Sequence, residues 1–439
     1  MSEFKQRRDA LLALMDNNSV TILSTNSLQT RSNDTEYPFR PDSDFYYLTG
    51  FKEDNATLCL VKKENSVKSY LFLQKKDETL ELWTGKRLGV EEAKRCFEYD
   101  DIFISDERFE KIAFELENCD KVYCDIFNDN KLFIEIQTYV KKVLHQRTIK
   151  RSPREFSDIL ALTQKMRLIK SNNEITLIKK ALDITKEAHH GAMKAMKPKL
   201  KEYEVQAMYE YIFKKEGAYS DAYTTIVASG NNANTLHYIE NSDFLESGDL
   251  VLIDAGCEYE MYASDITRTY PASGKFTEPQ KELYTMVLEV QVEVIRAIKP
   301  GITKTSLHIL SEKLLCEGMV CLGILKGNVE TLLEEKKHKK YYPHGIGHWM
   351  GIDVHDPCPY YDENGEELLF QEGMVLTIEP GVYLPQDDEN VPLKYRGIGI
   401  RIEDDILVTK EGFENLSQGI VKSVEAIEEI MSYSSIFER

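Results

Sequence analysis

Asp254 ends the apolar run 250–253, and Asp265 opens a second strand-like run, 266–270, eleven residues later. A hairpin between the runs sets the two carboxylates side by side, and a buried carboxylate needs an arginine, backbone N–H groups or a metal. Taken alone, the pair fits structural hydrogen bonding better than a metal. A second cluster carries imidazoles at His344, His348 and His355, three of the chain's nine histidines within twelve residues. Glycines at 345, 347 and 351 let the backbone approach closely and bring the rings to one locus, as metal or substrate work requires. One of the three still fits the role of a satisfied core histidine.

Two more acids sit at strand ends. Glu379 follows the apolar run 375–378 and precedes Pro380-Gly381, a position that also suits an ordinary surface acid. In 397–405, alternation puts Ile398, Ile400 and Ile402 on one strand face and Gly399, Arg401 and Glu403 on the other. An Arg401–Glu403 ion pair is therefore as good a reading of Glu403 as a ligand role.

The elements that must carry these residues are partly visible. Ser171 and Glu174 match a capping box ahead of apolar residues at helical spacing, and Thr277 and Gln280 open a second such helix. Helix, acid-bearing strands, helix, acid-bearing strands suggest two similar halves beyond residue 170. Residues 1–150 mix strand-like runs (56–61, 69–73, 122–126) with helical stretches (91–97, 131–144), the pattern of an α/β domain. The aromatic stretch 37–51, bracketed by prolines and Gly50, reads as a loop anchored by a core strand. The polar stretch 150–158 reads as a linker or an entry into a new domain, and 334–340 as a solvated helix end or loop.

The whole chain of 439 residues has 42% hydrophobic and 29% charged residues, enough for two or three domains that need no disulfide or metal staple. Residues 1–170 hold 28 Lys and Arg against 29 Asp and Glu, so −18 of the net −19 lies beyond them. That field repels phosphate backbones and attracts cations, which disfavours a nucleic-acid partner. Eight scattered cysteines without a CxxC pair read as reduced, mostly buried thiols. No export signal shows in 1–18 and no apolar run approaches the ~20 residues of a membrane span, so a soluble, cytoplasmic protein without a membrane partner is expected.

Together the motifs resemble the pita-bread metallopeptidase family, in which two Asp, one His and two Glu hold a pair of divalent metals. Asp254, Asp265, His348, Glu379 and Glu403 match those ligands in kind and order. The segments 39–51 and 82–89 are similar to the N-terminal domain of the aminopeptidase P group, so the resemblance covers essentially the whole chain. It implies an α+β fold with a smaller N-terminal α/β domain, 1–165, and a pita-bread catalytic domain, 166–439.

The implied activity is hydrolysis of the N-terminal Xaa-Pro bond of peptides, with a metal-bridging hydroxide as nucleophile. Asp254 then binds one metal, Asp265 and Glu403 bridge both, and His348 and Glu379 bind the other, with Glu379 relaying a proton. His344 and His355 match residues that position the scissile carbonyl and the proline, His237 a substrate contact, and Arg401 an arginine behind the ligands. Four carboxylates balance two M²⁺, and an oxygen-dominated donor set favours Mn²⁺ first, with Co²⁺, Fe²⁺ or Zn²⁺ as alternatives. A homodimer or homotetramer is the implied assembly. A prolidase taking only Xaa-Pro dipeptides is the near alternative, and a non-catalytic peptide-binding module the distant one, which the intact ligand set disfavours.

Overall fold

The computed structural model describes residues 1–148 and 151–437. The chain divides into two compact units, Met1–Met166 and Arg167–Arg439. In the first, a six-stranded sheet runs in the order Asp101–Ile104, Ser66–Leu73, Thr57–Lys63, Ser19–Ser24, Lys121–Cys124, Glu155–Asp158. The central three strands pair antiparallel and the outer joins are parallel. Helix Asn130–Leu144 buries Leu132, Ile136, Tyr139, Val140 and Val143, a single stripe at helical spacing, in one core with Val20, Ile22 and Val122.

Two expectations fail on local structure. Within 37–51 the structure has a helix, Ser43–Thr49, in place of a strand. Asp42 caps it by accepting the Phe45 N–H at 2.8 Å, and Gly50 ends it at φ 67°, where a side chain is strained. All seven of its residues are buried, so it shows no amphipathic period to read. The expected linker begins at Lys150, outside the described residues, but Glu155–Asp158 is an edge strand paired in register with Lys121–Cys124. An edge strand tolerates polar residues, which hid it. The solvated helix end expected in 334–340 is found: helix Val329–Glu334 stops there and residues 334–337 are exposed, after which the 3-10 turn Lys337–Lys340 buries His338 while Lys339 pairs with Glu312 and Lys340 with Asp388 at 2.5 Å.

The second unit holds three three-stranded antiparallel sheets: Ile226–Ser229 with Leu250–Asp254 and Thr267–Pro271, Val375–Ile378 with Asp404–Val408 and Phe413–Asn415, and the short Tyr262–Ala263, Cys257–Tyr259 and Ser220–Asp221. A hairpin-like pair, Gly381–Leu384 with Ile398–Arg401, adds to them. Helices Asn172–Ala195, Glu202–Lys215, Glu278–Arg296 and Lys304–Cys321 send apolar residues into the core these strands share, including Ile184, Val205, Val287 and Leu315 beside Val251, Ile253, Leu376 and Ile400. Both expected capping boxes form: the Glu174 N–H donates to Ser171 Oγ at 3.2 Å, and the Thr277 N–H to Gln280 Oε1 at 2.9 Å. The eight cysteines are unpaired and six are buried. Among the described residues no helix is long and apolar enough to cross a membrane. Helices and strands are thus mixed in both units, an α+β chain with a smaller α/β unit first.

Candidate metal centre and active site

Each acid of the site is delivered by the end of a strand. Leu250–Asp254 pairs antiparallel with Thr267–Pro271 so that Asp254 faces Thr267, which brings Asp265 back beside Asp254. The return is tight at Gly256, where a Cβ would stand 1.8 Å from the Ser264 carbonyl oxygen, so only glycine fits. The Tyr223 hydroxyl lies 2.6 Å from Asp254 Oδ1 and 2.5 Å from Asp265 Oδ1, which measures how closely the carboxylates approach. Behind Asp265, its N–H donates to Asp405 Oδ2 at 3.1 Å.

Glu379 and His348 are set by a second close approach. The Thr377 N–H donates to the His348 carbonyl at 2.9 Å and the Glu379 N–H to the Ile346 carbonyl at 2.8 Å, which lays the histidine-bearing loop along Val375–Ile378. Gly347 permits this: a Cβ there would sit 1.9 Å from the Thr377 carbonyl oxygen. His348 Nδ1 lies 3.1 Å from the Trp349 carbonyl oxygen, which only accepts, so Nδ1 carries a proton and Nε2 faces Asp265 Oδ2 at 3.3 Å and Glu379 Oε1 at 4.0 Å. Burial opposes charge on His348, yet the hydrogen bond and charge of Asp265 raise its pKa. Glu403 Oε2 accepts from the Thr267 hydroxyl at 2.7 Å. One oxygen or nitrogen each of Asp265, His348 and Glu403 lie within 4.8 Å of one another.

The ion pair that alternation offered as one reading, Arg401 with Glu403, gives way to another. Arg401 Nη2 meets Asp254 Oδ2 at 2.6 Å, its Nε donates to Thr267 Oγ1 at 3.0 Å and its Nη1 to the Tyr383 hydroxyl oxygen at 3.1 Å. The strand ends at Arg401, so alternation no longer governs Glu403. The Tyr383 hydroxyl also stands 2.8 Å from His344 Nε2, and His344 Nδ1 is 2.8 Å from the Gly345 carbonyl oxygen. Nδ1 therefore donates and Nε2 accepts. Burial and then the Arg401 charge push His344 down to about 3, so its ring is neutral. His355 stands edge-on to His348 with ring centroids 4.2 Å apart, and His237 is exposed at the rim.

All nine residues singled out in the sequence line one cavity of 510 Å³: Asp254, Asp265, His348, Glu379, Glu403, His344, His355, His237 and Arg401. Ile226, Leu236, Ile239 and Val354 give it apolar wall. Sequence reasoning missed Tyr223, Lys304, Tyr383 and Asp405. Tyr223, Lys304 and Tyr383 lie in no motif that spacing could reveal, and Asp405 ends the stretch 397–405 but meets Asp265 only through pairing of distant segments.

The donor set fits hard divalent cations. Asp265 and Glu403 are buried, with Asp254 and Glu379 largely so; burial and then the neighbouring acids raise the pKa of Glu403 well above the usual range, and burial, against His348 and Arg401, raises Glu379 to about 7. The nearest guanidinium, Arg401, is already committed to Asp254. Asp405 Oδ1, just behind, is buried with no hydrogen-bond partner. Cations are what such a cluster lacks.

Residues 176–410 match the model of metallopeptidase family M24, and residues 4–123 match the aminopeptidase P N-terminal domain. The chain belongs to metallopeptidase family M24. It is similar to the Xaa-Pro aminopeptidase of Haemophilus influenzae, 40% identical with 98% of this chain and 97% of that one covered. Among solved structures it is similar to proline aminopeptidase P II from Yersinia pestis, with TM-score 0.94 and 40% identity over 98% of this chain and 100% of that one. It is also similar to zinc-substituted aminopeptidase P of Escherichia coli in complex with product, with TM-score 0.94 and 39% identity over 98% of each chain. The fold is therefore that of aminopeptidase P, with a pita-bread domain following the N-terminal one, and membership of the family implies divalent metal ions and a hydrolase.

Proposed function

We propose that this protein is an Xaa-Pro aminopeptidase that uses two divalent metal ions, and that residues 1–165 and 166–439 are its N-terminal and catalytic domains. The observation that carries the reading is the convergence of four carboxylates and His348 on one cavity of peptide-accepting size. The names of the relatives, at 40% identity over nearly the whole chain, support the Xaa-Pro specificity. Asp254, Asp265, His348, Glu379 and Glu403 would hold the ions between them. The ions are Mn²⁺ in first place, with Co²⁺, Fe²⁺ or Zn²⁺ as alternatives, and the zinc-substituted relative supports that breadth. When bound, such ions acidify water and polarise the scissile carbonyl.

The chain's own residues do the rest. Glu379 extends one oxygen toward His348 and the other to 3.7 Å from His344 Nδ1, a position from which its carboxylate passes a proton to the leaving nitrogen. His344, locked neutral between Gly345 and Tyr383, and His355 orient the scissile carbonyl and the proline, and His237 closes on the substrate from the rim. Arg401 fixes Asp254 in place. An Xaa-Pro bond lacks an N–H and carries a ring at φ ≈ −65°, so recognition falls to apolar wall such as Ile226, Leu236 and Val354. The free α-ammonium of the first residue suits the acidic field. The proposal extends to a cytoplasmic homodimer or homotetramer acting on peptides.

Metal-reconstituted enzyme is expected to release the first residue from Xaa-Pro-Yaa peptides, with slower turnover of Xaa-Pro dipeptides. Mass spectrometry showing dipeptides cleaved and every longer peptide intact would make the enzyme a prolidase. Replacing His344, His355 or His237 by Ala is expected to leave both metals bound and lower kcat/KM by about 10² or more. Loss of stoichiometric metal in those variants would move the histidines into the ligand set.

A further inference from the structure

We infer that Lys304 forms a subsite for the free terminal carboxylate of a short peptide, a reading that rests on the peptidase function proposed above. Lys304 opens the helix Lys304–Cys321 and lines the 510 Å³ cavity beside His344, Gly345 and Glu379. Two permanent cations line that cavity. Arg401 has its guanidinium spread over Asp254, Thr267 and Tyr383, whereas Lys304 makes no ion pair or hydrogen bond among the described residues.

The ammonium stands 4.3 Å from the centre of the Tyr360 ring, which is itself stacked on Trp349 at 5.4 Å. The ring is a rigid platform, since the Trp349 N–H also donates to the Tyr360 hydroxyl at 3.2 Å. Burial lowers the Lys304 pKa, while the charges of Glu379 and Glu367 work against that shift. A partly buried ammonium without a contacting anion is destabilising, and an incoming carboxylate offsets that cost. The helix start itself is not the attractor: Thr303 Oγ1 accepts the Ser306 N–H at 3.2 Å and Glu367 the Thr305 N–H at 2.8 Å.

The cavity thus has opposite charge at two places, four acids at one and Lys304 at the other. A short peptide is a zwitterion of matching pattern, with its amine toward the acids and its carboxylate toward Lys304. A long peptide cannot place its terminus there. Lys304 therefore selects for length, and its flexible stem lets a compact charge follow a carboxylate at more than one distance.

The test uses the full, metal-loaded chain and its Lys304→Met variant, which keeps the stem and drops the charge. Substrates are Xaa-Pro, Xaa-Pro-Yaa and a hexapeptide beginning Xaa-Pro, each as free acid and as C-terminal amide. The wild type is expected to show a KM about 10-fold lower for the acid of a short peptide than for its amide, and no difference for the hexapeptide. Lys304→Met is expected to erase the preference by raising the acid's KM about 10-fold more than the amide's, whatever change in kcat the two substrates share. The dipeptide and tripeptide arms tell whether the carboxylate belongs to the proline or to the residue after it. Equal KM for acid and amide in the wild type, or an equal effect of the variant on both, overturns the subsite. Should no peptide turn over, the peptidase reading fails, and calorimetric binding of the same acids and amides decides the subsite by the same ratios.

Discussion

Chelation followed by dialysis is expected to abolish peptide hydrolysis, by about 10³-fold or more, with the far-ultraviolet circular dichroism almost unchanged and Mn²⁺ restoring turnover best. The two halves have separate causes. Folding rests on a large apolar core in the second unit, from Leu168 to Ile427, built of side chains other than the five proposed ligands. Activity rests on a cluster that cannot act as a collection of bare acids, because Asp254, Glu379 and Glu403 hold their protons more tightly when buried together. Glu403→Ala is expected to lower metal occupancy and kcat together, since Glu403 and Asp265 present donor atoms to a common point with His348. Full activity in the metal-free protein, or two metals and normal kcat in Glu403→Ala, would refute the dinuclear reading.

What the sequence disclosed was governed by locality. The capping residues Ser171 and Glu174 act over three positions, so they could be read directly and the helix starts there. The acids at strand ends could be read because an apolar run ending on a carboxylate has few structural explanations, and all of those acids line one cavity. The helix Ser43–Thr49 could not, because burial on every side erases the period that marks a helix. The ion pair offered as one reading of Arg401 and Glu403 gave way for a related reason: strand alternation names a face but not a partner, and Asp254, 147 positions earlier, lies 2.6 Å from Arg401. Tyr223, Tyr383 and Lys304 became visible only when distant segments met. Chemistry confined to one strand or loop was legible, and chemistry assembled across strands was not.

One assembly of that second kind holds the histidine loop, and its removal is expected to cost the most stability. Asp356 is almost fully buried, with Oδ1 on Arg167 Nη2 and Oδ2 on Lys170 Nζ at 2.7 Å, while Arg167 also meets the half-buried Asp353 at 2.5 Å. The Asp356 N–H donates to the Trp349 carbonyl at 2.9 Å, so the cluster ties His355, one residue before it, to the loop segment that carries His348. Gly351 makes room, since a Cβ there would stand 2.6 Å from Asp356 Oδ2. Asp356→Ala leaves two buried cations facing one outer carboxylate, and breaking a buried pair in this way costs about 3–5 kcal/mol. That corresponds to a fall in Tm of roughly 10 °C for a unit of this size. Burial alone would raise the Asp356 pKa, but Lys170 and Arg167 outweigh it and hold the carboxyl below the usual range. A depressed carboxyl contributes its full stability above its unfolded pKa of about 3.9 and loses it as pH falls through the lower folded value. The Tm gap between wild type and Asp356→Ala should therefore be constant near neutrality and narrow below about pH 4. Calorimetric scans of both proteins from pH 3 to 8 measure it, and a gap under ~1 kcal/mol at pH 7 would show that the three side chains do not act as a buried ionic unit.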